Sequence, residues 1–99
     1  MVFGMVPAVV GASAAVESGL AAELGAGAAG VAPGLLGVVA MGADADSVWF
    51  AEVCRSVAAE HLVVAGEHAL ARGLFSGAQS LAVATTVATE VMRAAAASI

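Results

Sequence analysis

SVWFAEVCRSVAAEHLVVAGEHALARGLFSGAQSLAVATTVATEVMRAAAA, residues 47 to 97, contains no proline, and its reading decides the fold. Phe50, Val53, Val57, Val64, Ala71, Phe75, Ala78, Ala82 and Met92 fall on one heptad-like seam, a periodicity that belongs to an α-helix and not to a strand. Glu60 or His61, His68, Thr85 and Thr89 continue the phase with polar side chains. A second line, Cys54, His61, Leu62, Ala65, Ala69, Leu81 and Ala88, makes the same helix apolar over more than one face, so it calls for two neighbours. At about 1.5 Å per residue the segment would extend roughly 75 Å. Gly73 and Gly77 flank Phe75 and mark the place where a bend would fall.

Upstream, Asp44, Asp46 and Ser47 offer three candidate N-caps, with carboxylates at the positive end of the helix dipole, and place the start of this helix at about residue 46. Pro7 opens an earlier periodic segment through Val9, Val16, Leu20 and Leu24, with Glu17 and Glu23 off the line. A first amphipathic helix is expected over about 7–29, roughly 35 Å long at about 1.5 Å per residue. Between the two, residues 30–43 read as a Gly- and Pro-containing connector whose Val38, Val39 and Met41 are apolar enough to fold back on the helix ends. The fold expected for residues 1–99 is a single all-α domain, an antiparallel two-helix hairpin with the second helix about twice as long as the first.

Composition says why such a hairpin would not stand alone. Of the chain, 62% is apolar, against about 45–50% for an ordinary soluble domain, and a chain this short has little interior in which to hide the surplus. Arg55, Arg72 and Arg93 are the only cations beside eight carboxylates, a formal charge of −5. That balance argues against nucleic acid and against an anionic membrane surface. The uncharged run from Leu24 to Ala43 is long enough to span a bilayer, but Gly25, Gly27, Gly30, Gly34, Gly37, Gly42 and Pro33 would break a spanning helix. Residues 1–16 lack the basic start of a secretory signal peptide.

No residue set suggests chemistry. His61 and His68 lie one heptad apart, about 10 Å along a helix axis, too far for one metal ion, and Cys54 is two turns from His61. Cys54 reads as a small apolar residue of the stripe. Gly25, Gly27 and Gly30 nearly spell a dinucleotide-binding loop, but no strand precedes them. Neither catalysis nor a metal, cofactor or small-molecule substrate is expected.

Pro7, the Ala14-Ala15-Val16-Glu17 run, the Gly/Pro connector, Gly42-Ala43-Asp44-x-x-Ser47 and Glu60-His61-x-Val63-Val64-x-x-Glu67 together follow a familiar order. Over nearly its whole length the chain resembles the PE domain of mycobacterial type VII (ESX) secretion systems, above all the short members from ESX loci. The connector-to-helix motif is the more specific part of the likeness. The resemblance implies a hairpin that pairs lengthwise with the first helices of a PPE protein, completing a four-helix bundle that assembles in the cytoplasm and is exported as a folded heterodimer. It also implies a chaperone that grips the tip of the PPE partner and not this chain. The family's export signal, Tyr-x-x-x-Asp/Glu, falls here on Thr86 and Glu90, so only its acidic half is kept. The chain has no tyrosine, and the family's Pro-Glu pair is Pro7-Ala8.

A partner-facing seam built from Leu20, Leu24, Phe50, Val53, Val57, Val64, Ala71, Phe75 and Ala78 is the expected interface. Phe75 is expected near or past the end of the first helix, as a partner anchor. Two other arrangements use the same residues: a homodimeric four-helix bundle, and a membrane-associated hairpin with the Leu24–Ala43 segment inserted.

Overall fold

A computed structural model describes residues 4–99 as two helices, α1 (Pro7–Leu36) and α2 (Ala45–Ala97), packed antiparallel with no strand among the described residues. Residues 1–3, the first part of the uncharged start, lie outside the described residues. The molecule measures 84 × 22 × 18 Å. Its cross-section is that of two helices side by side, and its length is that of α2, whose 53 residues rise about 1.5 Å each. The radius of gyration is 23.0 Å, where a compact chain of this size would have about 13 Å.

The α2 N-terminus is fixed by Asp44. Its Oδ2 accepts from the Ser47 backbone N–H at 3.0 Å, and Ser47 Oγ donates to Oδ1 at 2.8 Å. Asp46 lies within the first turn. The backbone hydrogen bond from Ser47, seconded by its hydroxyl, holds the Asp44 carboxyl below its ordinary value of 3.8. A carboxyl whose folded pKa is depressed lends stability above its unfolded pKa and loses it as pH falls through the folded value. Helix content followed by circular dichroism should therefore hold from neutral pH down to the ordinary aspartate range and drop below it. Asp44→Ala should start lower and lack that step, while Asp44→Asn keeps the cap and removes the pH dependence.

α1 extends past residue 29 to Leu36, with Pro33 inside it, and the connector shrinks to residues 37–44. Pro33 has no N–H for the carbonyl of Ala29, so one bond is lost. Because the ring sits in the last turn, the helix needs only a few further bonds, and Gly37 N–H closes it on Pro33 O at 2.9 Å. Ala32 and Leu35 are half-buried on the same side as the rest of the seam, which holds this turn in place. The connector's Val38 is half-buried and its carbonyl accepts from the Arg55 guanidinium, while Val39 and Met41 stay exposed. Of the segment 24–43, residues 24–36 form the end of α1 and residues 37–43 belong to the turn, so it is not one continuous helix here. α2 passes Gly73 and Gly77 as continuous α-helix.

The seam between the helices is lined by small residues. Val10, Ala14, Glu17, Ala21, Ala28, Ala32 and Leu35 of α1 meet Ala51, Ala58, Leu62, Ala65, Ala69, Ser76, Gln79 and Val83 of α2, each series stepping by three, four or seven residues. Among the described residues only Ala14, Ala51, Ala58 and Ser76 are buried. Alanine at heptad spacing lets two helix backbones approach closely, because interaxial distance follows the side chains at the contact. Ser76 Oγ reaches across to donate to the Ala14 carbonyl at 2.7 Å, Gln79 Nε2 donates to Ser13 Oγ at 2.8 Å, and Arg72 pairs with Glu17 at 3.0 Å. Ser76→Ala should lower stability by about 1 kcal/mol in a urea or thermal titration, the usual worth of one buried neutral hydrogen bond.

The contacts between the two helices set the register: residues 13–17 lie beside 72–79. α2 therefore overhangs at both ends. Its first two turns pass the end of α1 and pack on the connector, where Phe50 and Ala51 meet Val38, Val39 and Met41. Its last turns run beyond Pro7.

Candidate functional site: an exposed apolar face

The residues that the hairpin does not bury are its largest. Val16, Leu20, Leu24, Val31, Trp49, Phe50, Val53, Val57, Val63, Val64, Leu70, Leu74, Phe75, Leu81 and Met92 are all exposed. The accessible surface totals 7126 Å², about 2,000 Å² above the ~5,000 Å² that a compact monomer of this mass would show.

Some of these side chains line a groove on one side of the hairpin. Leu20, Glu23, Leu24, Gly27, Ala28 and Val31 of α1 and His61, Val64, Ala65, His68 and Arg72 of α2 line an open groove of 660 Å³ along the hairpin. A second depression, lined by Glu17, His68, Ala71, Arg72 and Phe75, continues it toward the open end of the hairpin. Three- and four-residue steps from Val64 place Val53, Val57, Ala71, Phe75 and Ala78 on the same face of α2. The structure thus brings Leu20, Leu24 and Val64 together in the groove, sets Ala71 and Phe75 beside it, and carries the line past the end of α1 to Phe50 in the connector depression.

The position of Phe75 differs from the sequence reading. It lies within the paired length of the hairpin, beside Glu17, and not near or past an end of α1. The cause is the register: the inter-helix pair Arg72–Glu17 places this part of α2 well inside the paired region, and it is residues beyond about 87 that overhang. Trp49 and Phe50 both remain about two-thirds exposed, at 65% and 63%, because the first turns of α2 have no α1 opposite them.

The polar residues of the stripe are accounted for separately. Thr85 Oγ1 donates to the Leu81 carbonyl and Thr89 Oγ1 to the Thr85 carbonyl, so both hydroxyls are satisfied by their own helix. His61 and His68 line the groove one heptad apart. Among the described residues no group of three or more His, Cys, Asp or Glu side chains could hold a metal ion. Cys54 is a half-buried free thiol.

Thr86 and Glu90 occupy the same strip of α2 one turn apart, beside Met5 and Pro7, with Val87, Val91 and Ala94 completing a shallow hollow at the start of α1. Thr86 is half-buried, and Glu90 is exposed and paired with Arg93 at 2.9 Å. α1 is also long and apolar enough to cross a membrane by length and composition, with a mean hydropathy of 1.3 over its most apolar window. It carries Glu17 and Glu23 within its length. Comparison with models of known protein families, with curated proteins and with solved structures gives no match.

Proposed function

We propose that this chain is a non-enzymatic interaction module, one half of a four-helix bundle completed by a helical hairpin of the PPE type, assembled before export through a type VII route. The observation that supports the reading is the set of large apolar side chains left exposed on both helices, Leu20 and Leu24 on α1 with Val53, Val57, Val64 and Phe75 on α2, of which Leu20, Leu24 and Val64 line one groove. An alanine seam buries little area per residue, so the hairpin has few resources of its own. A second hairpin laid along the face would remove the larger side chains from water, the arrangement by which bundles form a core. The surplus of about 2,000 Å² is on the scale of the area that one partner loses in a large permanent interface. Thr86 and Glu90, near the unpaired end of α2, stand where the resemblance puts an export signal.

The reading is tested by co-expression with a PPE-type protein encoded beside this chain, followed by size-exclusion chromatography and circular dichroism. The expected result is a soluble, strongly helical one-to-one complex, beside a lone chain that aggregates or loses helix. A well-folded soluble monomer that ignores the partner would overturn it. Within the complex, Phe75→Ala should weaken binding about tenfold or more, as truncation of a buried aromatic anchor does. Unchanged affinity would remove Phe75 from the interface and leave the rest of the face in place.

A further inference from the structure

The charges around the apolar face specify its occupant further. Of the three guanidinium groups, Arg72 is paired with Glu17, Arg93 with Glu90, and Arg55 is held against the Val38 carbonyl at the connector, away from the groove. Among the described residues Glu23, Asp44, Asp46, Glu52, Glu60 and Glu67 have no cationic partner, Asp44 being the α2 cap. Three of these flank the face on both sides. Glu23 lines the α1 edge of the groove. Glu60 and Glu67 each immediately precede a groove-lining histidine; helical geometry sets them four residues before Val64 and Ala71, on the side of that strip away from α1. All three are exposed. The face is therefore an apolar groove between two acidic rims.

Resting on the four-helix reading above, we infer that the occupant of this face is a helical hairpin whose apolar ridge is flanked by arginine or lysine, and that the acidic rims exclude a second copy of this chain. A second copy would bring the same rims. Because both edges are acidic, either orientation of a face-to-face homodimer sets carboxylate against carboxylate, and among the described residues each arginine is already engaged elsewhere, Arg72 with Glu17, Arg93 with Glu90 and Arg55 with the Val38 carbonyl. A partner with basic flanks meets complementary charge on both edges. Charge of this kind selects between occupants and speeds encounter more than it adds affinity, since each exposed pair is weak. The apolar face supplies attraction, and the rims decide what may use it.

The experiment co-expresses two differently tagged copies of the full chain and measures how much of the second tag is captured on the first. One pair is wild type with wild type. The other is wild type with a copy carrying Glu23→Lys, Glu60→Lys and Glu67→Lys, which presents the same apolar ridge with basic flanks. All three side chains are exposed, so folding is not expected to suffer, and a Glu→Gln version at the same positions, checked by circular dichroism, supplies a neutral comparison. The expected result is roughly fivefold or greater capture of the Lys copy over wild type in about 0.05 M salt, narrowing toward parity near 1 M, with the Gln copy intermediate. Equal capture of wild-type and Lys copies, whether strong or absent in both, would overturn the assignment, and strong salt-independent wild-type pairing would make a second copy the occupant. Val64→Asp introduced into both members of the wild-type and Lys pair, where capture is expected, reports separately on the apolar face: if it leaves that capture unchanged, the four-helix reading fails, and if it abolishes capture while the rim variants do nothing, only the charge inference fails.

Discussion

Ala14→Leu should cost the hairpin most of its stability, about 2–3 kcal/mol, although it exchanges one apolar residue for another. Ala14 is 4% exposed, and its own carbonyl accepts the Ser76 hydroxyl at 2.7 Å. A serine side chain can span that gap only because the two backbones lie close, and no space remains for the added carbons of leucine. The helices must separate locally, which breaks the Ser76 bond and strains its neighbours, Gln79–Ser13 and Arg72–Glu17. For a marginally stable two-helix unit such a loss is most of what there is. Thermal melts followed by circular dichroism measure it. Val16→Leu, at a position 62% exposed on the same helix, is the matched comparison and should leave the melt nearly unchanged. A tolerated Ala14→Leu would mean that the seam is not close-packed.

The second large effect is on assembly. Leu24→Asp with Val64→Asp should reduce partner affinity by more than about a hundredfold, because closing a four-helix bundle would bury two unpaired carboxylates, each at a cost of several kcal/mol. Neither side chain is buried within the hairpin; Leu24 is 36% exposed and Val64 47%. The helix content of the chain itself should therefore survive. Titration calorimetry or quantitative co-purification reads the first quantity and circular dichroism the second. A complex that forms as before would show that the groove is not the contact surface.

These two experiments divide the molecule along a line that sequence periodicity could not draw. The all-α character and the extent of α2 are legible because residues 47–97 combine an unbroken helical period with no proline, behind a capping Asp44. The grouping of Leu20, Leu24, Val53, Val57, Val64 and Phe75 as one set is legible for the same reason, since residues three or four apart share a face. Which apolar line the hairpin would keep for itself is another matter. It uses the alanine line of Ala51, Ala58, Ala65 and Ala69, because close approach rewards small side chains, and leaves the bulkier line outside. Seen from the chain alone, both are apolar stripes. The end of α1 was hidden by Pro33, which normally marks a helix boundary, yet within a last turn it sacrifices a single bond while Ala32 and Leu35 still pack. The position of Phe75 depends on inter-helix register, which is decided by pairings such as Ser76 with Ala14 across the whole hairpin.

That register has a mechanical aspect. Two helices lined with alanine over three successive heptads, Ala14, Ala21 and Ala28 against Ala51, Ala58 and Ala65, resemble a pair of smooth rails: a slide of seven residues presents a similar profile over that length, so the apolar contacts alone would tolerate more than one alignment. The short turn of residues 37–44 ties the rails at one end. At the other, Arg72–Glu17, Ser76–Ala14 and Gln79–Ser13 act as a catch, engaged in a single alignment and lost together in any other. With both ends fastened, the spacing between Leu24 and Val64 across the groove is set like the gauge of a track, and an incoming helix meets a surface of fixed width rather than one that it must align for itself.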